Sequence, residues 1–140
     1  MIDPVATVVK YLLGSTLGTA VGGRVVAGRA LYGKEWSREQ TAVTVQPAGG
    51  TPEPYVPLRT VRLATRCWGP TESAAYGVYL ALAEVAARAP RQKVVLGVGQ
   101  AALLHWLGEA SGASVIWDDE VRLWSAVVFL EAIVGEQPAQ

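Results

Sequence analysis

One histidine, His105, and one cysteine, Cys67, are the side chains of this 140-residue sequence best suited to acid–base or nucleophilic chemistry. Neither can react alone. A histidine base needs a serine or cysteine within hydrogen-bond reach and a third group to orient it. His105 stands in the apolar run LLHWLG, with no nucleophile placed by a local signature, so a structural histidine is expected. Cys67, in VRLATRCW, reads as a small core residue. A single cysteine forms neither an internal disulfide nor a cysteine metal site. The acidic trio Asp118, Asp119 and Glu120 offers oxygen ligands for a hard cation. It lacks the spaced Asp/Asn pattern and the glycine of a calcium loop, so a solvated hairpin tip is the expectation. The stretches GVGQAA (97–102) and AVGGRVVAG (20–28) are glycine-rich, yet neither carries GxGxxG or GxxxxGK[ST], and both read as turns. No catalytic set emerges, and no cofactor or metal is expected. The sequence reads as a non-enzyme.

The bulk composition asks what else such a chain could do. At this length one domain is expected, burying roughly two-thirds of its unfolded surface. The chain is 51% hydrophobic and 17% charged, against about 25% charged in an average soluble domain. A short chain has little interior in which to hide that much apolar surface, so cover by other subunits is expected. Twelve basic residues balance twelve acidic ones, which argues against nucleic acid as a primary ligand. Nine of the twelve bases are arginine, which suits interfaces, although base composition of the gene would give the same bias. The opening MIDPVATVVKYLLGS lacks the basic start and apolar core of a signal peptide. No apolar run approaches the roughly 20 residues that span a bilayer, so a soluble chain without a membrane partner is expected.

The elements follow from periodicity. DPVATVVKYLLG (3–14) predicts a helix with Asp3 as cap, Pro4 in its first turn and Gly14 at its end. STLGTAVGG then slackens the chain, and a short strand is expected near 24–32. TAVTVQP (41–47) alternates like a strand that Pro47 should stop. RTVRLATRCW (59–68) alternates again, with Val61, Leu63, Thr65 and Cys67 on one face and Arg62, Ala64, Arg66 and Trp68 on the other. GPTESAAYGVYLALAEVAARAP predicts a helix over about 70–88, opened by Pro70, with Ala75, Val78, Leu82 and Val85 as its core stripe. Two long strands, about 102–117 and 121–134, should follow, the first bent at SGAS. A short flexible tail is expected from about 135. The fold class is α+β, a mostly antiparallel sheet of four to five strands with two helices on one face. Four of the five tryptophans fall on these strands, where core or subunit packing is expected.

In this order the segments resemble the tail-terminator or tail-completion proteins of long-tailed, siphovirus-type bacteriophages. The matching pieces are IDPVATVVKYL, GGRVVAGRA, AVTVQPAGGTPEPYVPLRTVRLATRCWGPTESAAYGVYLALAEVA and VRLWSAVVFLEAIVG. The family commonly shows a strand, PxGG, P-x-x-P-L, a strand, a CYG-like turn and a helix. Here the turn stands as Cys67-Trp68-Gly69, and 91–112 departs from the usual short connection. The resemblance implies a virion structural protein, assembled in the host cytoplasm, that forms a ring of about six copies on the head-proximal end of the tail tube. Such a ring stops tube polymerisation and meets the neck, so its partners would be further copies of itself, the tail tube protein and the head–neck connector proteins. DNA would be only cargo passing through the lumen. Another head-to-tail joining protein of the neck, a small-ligand module using His105, and a nucleic-acid binder using Arg62 and Arg66 stay open as alternatives.

Two sets of residues are the candidate interface. Residues 48–58 read as a protruding Pro/Gly loop in which Pro52, Pro54 and Pro57 restrict the backbone and Tyr55 and Val56 offer apolar contact to a neighbour or the tube. Arg62 and Arg66 should point the same way from one strand, toward a lumen or an interface.

Overall fold

The computed structural model describes residues 3–28, 40–52, 58–88, 92–97 and 100–138. Helix α1 (Pro4–Leu13) begins where the Asp3 carboxylate accepts from the backbone N–H groups of Val5 and Ala6, two donors that the helix leaves unpaired. A second helix, α2 (Thr16–Ala20), follows at once. It replaces the slack connection expected there, because Gly18 is buried where any Cβ would strike the carbonyls of Leu12 and Leu13. Glycine therefore permits this tight packing of α2 onto α1.

The strands are β1 (Val25–Ala27), β2 (Ala42–Pro52), β3 (Leu58–Gly69), β4 (Gln92–Gly97), β5 (Gln100–Glu109), β6 (Ser114–Asp118) and β7 (Leu123–Pro138), with helix α3 (Glu72–Ala87) between β3 and β4. Among the described residues they form one sheet in the order β1-β2-β3-β7-β5-β4, with β6 also paired to β7. All pairs are antiparallel except β1 with β2. α1 touches both end strands, β1 and β4, so the sheet curls around the helices. The class is α+β, as composition and periodicity implied. Among the described residues three helices and seven strands stand where two helices and four to five strands were expected.

Several boundaries differ for identifiable reasons. Pro47 does not end β2: it lies opposite Leu63, and the strand continues through a bulge at Pro47/Gly50 where Gly49 takes φ +101. Beyond Val45, where β1 ends, no strand among the described residues pairs with that edge of β2, and an edge of that kind tolerates a proline without N–H. Residues 48–52 and 58 are therefore strand, not loop. Thr71, not Pro70, caps α3, its hydroxyl accepting from the Ala74 N–H at 3.0 Å. The expected strand over 102–117 is two strands, β5 and β6, interrupted at 110–113. The expected flexible tail is ordered pairing, since β7 runs to Pro138 against β5.

The core lies on the helical side of the sheet. Val43, Val45, Leu63, Cys67, Val128, Leu130 and Val134 meet Val8, Leu12, Ala75, Val78, Leu82 and Val85 there. The Tyr11 hydroxyl donates to the Val85 carbonyl and ties α1 to the end of α3. On the opposite face a small cluster of Ala42, Trp68 and Leu123 closes one end, where the Trp68 indole N–H donates to the Thr44 hydroxyl at 2.9 Å. Among the buried side-chain groups described, the Thr65 hydroxyl sits in the main core with no hydrogen-bond partner. Thr65→Val removes that desolvated group at constant shape, and should stabilise the chain by ~1 kcal/mol, a rise in melting temperature of roughly 3 °C. A lowered melting temperature would show that the hydroxyl is used.

Candidate functional site

The reactive side chains lie apart. Cys67 is fully buried on the helical face of β3, and burial pushes its thiol up to about 12. His105 is the extra residue of a bulge in β5, half-buried between Leu104 and Trp106. Asp118 does hold a hairpin tip, its carboxylate accepting from the N–H groups of Glu120 and Val121 at 3.0 Å. Among the described residues no group of three or more His, Cys, Asp or Glu is placed to hold a metal ion. A cleft of about 440 Å³ runs between α1, Ala27 and Leu96. Asp3, the carboxylate among its described lining residues, is already committed to capping α1.

The outer face of the sheet has a different character. Strand β7 reads LWSAVVFLEAIVG, and alternate residues face alternate sides. Ala126, Val128, Leu130, Ala132 and Val134 are buried against the helices, leaving Val127, Phe129, Glu131 and Ile133 on the outside. A strand apolar on both faces is the pattern of a strand covered on both faces. Here the outer side is open among the described residues: Phe129 is 37% exposed, Trp106 48% and Ile116 50%. The bulge at His105 creates part of this surface. It reverses the alternation of β5, so Leu104 and Leu107 face the core while Trp106 turns outward opposite Ile133. Trp106 then lies over Gly108, where a Cβ would collide with its indole.

Arg62 and Arg66 project onto this same face, as their spacing required. The Arg62 guanidinium sits over the Phe129 ring, 5.9 Å from its centroid, and Arg66 donates to the Gln46 side chain at 3.0 Å. Phe129 is anchored from behind. Its carbonyl accepts from the N–H groups of Ala110 and Ser111, and its own N–H donates to the Ser111 hydroxyl.

On the far side of the helical layer, α3 is apolar nearly all round. Ala75, Val78, Leu82 and Val85 face the sheet as expected, yet Tyr76 (45% exposed) and Leu80 (52% exposed) face outward. Tyr79 orients the helix by donating to the Glu109 carboxylate at 2.9 Å. A helix with apolar residues on its outer face as well is ordinarily a covered helix.

Of the residues singled out in sequence, Arg62 and Arg66 lie together on the open face. Pro52 ends β2 opposite Arg59, while Pro54, Tyr55, Val56 and Pro57 lie outside the described residues. Phe129, Trp106, Tyr76 and Leu80 were not singled out, although apolar residues on both sides of β7 and α3 were legible. No family model matches the chain, and no curated protein matches it significantly.

The buried thiol has a measurable consequence. Above pH 9 the unfolded chain releases the Cys67 proton, while the folded chain holds it to about pH 12. Stability should therefore fall as pH rises through that window and be independent of this group below it. Burial also raises Tyr11, against an opposing effect of Arg88, which adds to the loss at the alkaline end. Melting curves from pH 8 to 11 should show a shallower decline for Cys67→Ala than for the unaltered chain. Equal slopes would contradict the buried, protonated thiol.

Proposed function

We propose that this chain is a ring-forming structural subunit of a phage virion, capping the head-proximal end of the tail tube. In that role it stops tube growth and presents the surface on which tail and head join. The observation that carries the reading is the apolar surface left on both sides of a two-layer subunit: Phe129, Trp106 and Ile116 on the sheet, Tyr76 and Leu80 on the helix. Two different patches on opposite sides join copies head to tail, and such contacts generate rings when the rotation closes. The order of segments, which resembles the tail-terminator proteins, supports the place of the ring on a tail and a count of six.

Arg62 fits a contact between copies better than a solvated lumen. Its guanidinium lies over the Phe129 ring, with Glu131 as its cross-strand neighbour on the same face, and arginine with aromatics is the composition enriched at interface centres. Its partners are then further copies of the chain, the tail tube protein beneath and the neck proteins above.

Imaging of assembled tails carrying a labelled copy should place label at one end only, and hosts lacking the chain should yield tails of uncontrolled length. Label along the whole tube would make this a tube protein instead. Tails of normal length without it would leave a neck-joining role.

A further inference from the structure

The strand ladder slips register in three places among the described residues, and their positions follow a rule. β3 pairs with β7 from Leu58 to Gly69 without a slip, and both of these strands have neighbours on both edges. The slips fall on β2, β4 and β5, strands with a length of edge that no described strand covers. Two of them mark the place where a neighbour stops. β1 follows β2 only to Val45, and β2 takes an extra residue between Pro47 and Gly50. β4 follows β5 only to Leu104, and His105 is the extra residue directly after it. The third, between Val95 and Gly97, lies on β4, the end strand of the sheet. β1 and β6 have an uncovered edge and no slip, but they are only 3 and 5 residues long. A bare edge presents unpaired N–H and C=O groups that a strand of another chain can join. An extra residue bends and twists the strand, and short strands offer little to join.

We infer that His105 is an edge guard: the extra backbone residue ends the pairing of β4 and keeps Trp106–Glu109 from accepting a strand of a second copy. That length of β5 is the one most in need of a guard, because it carries Trp106 and Leu107 on an edge with no described partner. Two further features blunt it. The Trp106 indole lies over Gly108, and an aromatic cover on an edge glycine pins the register. Glu109 sets a carboxylate at its far end, held by the Tyr79 hydroxyl at 2.9 Å. The ladder itself does not need His105. Without it, Leu104 opposite Val134 would be followed by Trp106 opposite Ile133 and Leu107 opposite Ala132, as now. Trp106 would still face outward and Leu107 inward, since regular alternation asks for that arrangement. The guard acts independently of the ring, because it concerns a contact between edges that the fold prevents.

Two variants separate the backbone from the side chain. Deletion of His105 removes the extra residue, whereas His105→Ala keeps it and loses only the imidazole. Both are compared with the unaltered chain at a concentration where light scattering shows that chain to be monomeric. The deletion variant should melt within ~5 °C of the unaltered chain. It should nevertheless associate without a discrete end point, with thioflavin T fluorescence roughly tenfold higher. Hydrogen exchange of the associated material should show new protection at Trp106–Glu109. His105→Ala should match the unaltered chain in all three readouts. A folded deletion variant that associates no more than the unaltered chain would overturn the inference. So would equal association of His105→Ala, which would assign the guard to the imidazole, and so would new protection confined to other strands. A deletion variant without a cooperative melt would overturn it as well, by showing that the ladder requires the extra residue.

Discussion

Strand β7 is the constraint on which the rest of the structure depends. Along one edge it pairs with β3 from Trp124 to Gly135. Along the other it pairs first with β6 and then with β5. The break between those partners is closed at Phe129, whose carbonyl and N–H are both taken by the 110–113 connection. A central strand with both edges satisfied fixes which of its side chains face each layer, since a slip of one residue would exchange the two sets. The register that sends Ala126, Val128, Leu130 and Ala132 into the core therefore also commits Val127, Phe129 and Ile133 to the outside.

From that commitment the surface follows. An outward Phe129 between β3 and β5 brings Arg62 over its ring on one side, and the β5 bulge sets Trp106 opposite Ile133 on the other. Among the described residues the helices cover only the concave side. α1 spans the two ends of the curled sheet and α3 crosses β3, β5 and β7, and among the described residues nothing covers the outer stripe of α3. The subunit thus ends in an apolar patch at each extreme of its thickness. This accounts for a composition with more hydrophobic residues than a short chain can bury.

Much of this was legible in the sequence. Asp3, Pro4 and Gly14 bounded α1 correctly, the core stripe of α3 lay where its period placed it, and the two faces of β3 were read as they stand. What escaped were features that depend on partners distant in the chain. Pro47 ends a strand only if its missing N–H matters, and beside a bulge, at an edge with no partner among the described residues, it does not. Trp106 shares a face with Leu104 in a regular strand, and only the bulge at His105 separates them. Residues 48–52 look like loop because they hold glycines and prolines, yet their pairing with β3 as far as Arg59 makes them strand. The surface reading was half visible: Arg62 and Arg66 could be placed on one face, whereas the aromatic ring beneath Arg62 comes from β7, some seventy residues away.

The central claim is that the subunit closes on copies of itself through two different faces, and native mass spectrometry of the purified chain across micromolar to millimolar concentration tests it most directly. The account predicts a single discrete assembly at high concentration, with a mass near six times the 14.8 kDa of the chain, in exchange with monomer and few intermediates. A population that stops at dimer would show a two-fold contact, an unending ladder would show a contact that does not close, and a monomer at every concentration would show that the bare faces are not self-complementary. Any of these three results would contradict it.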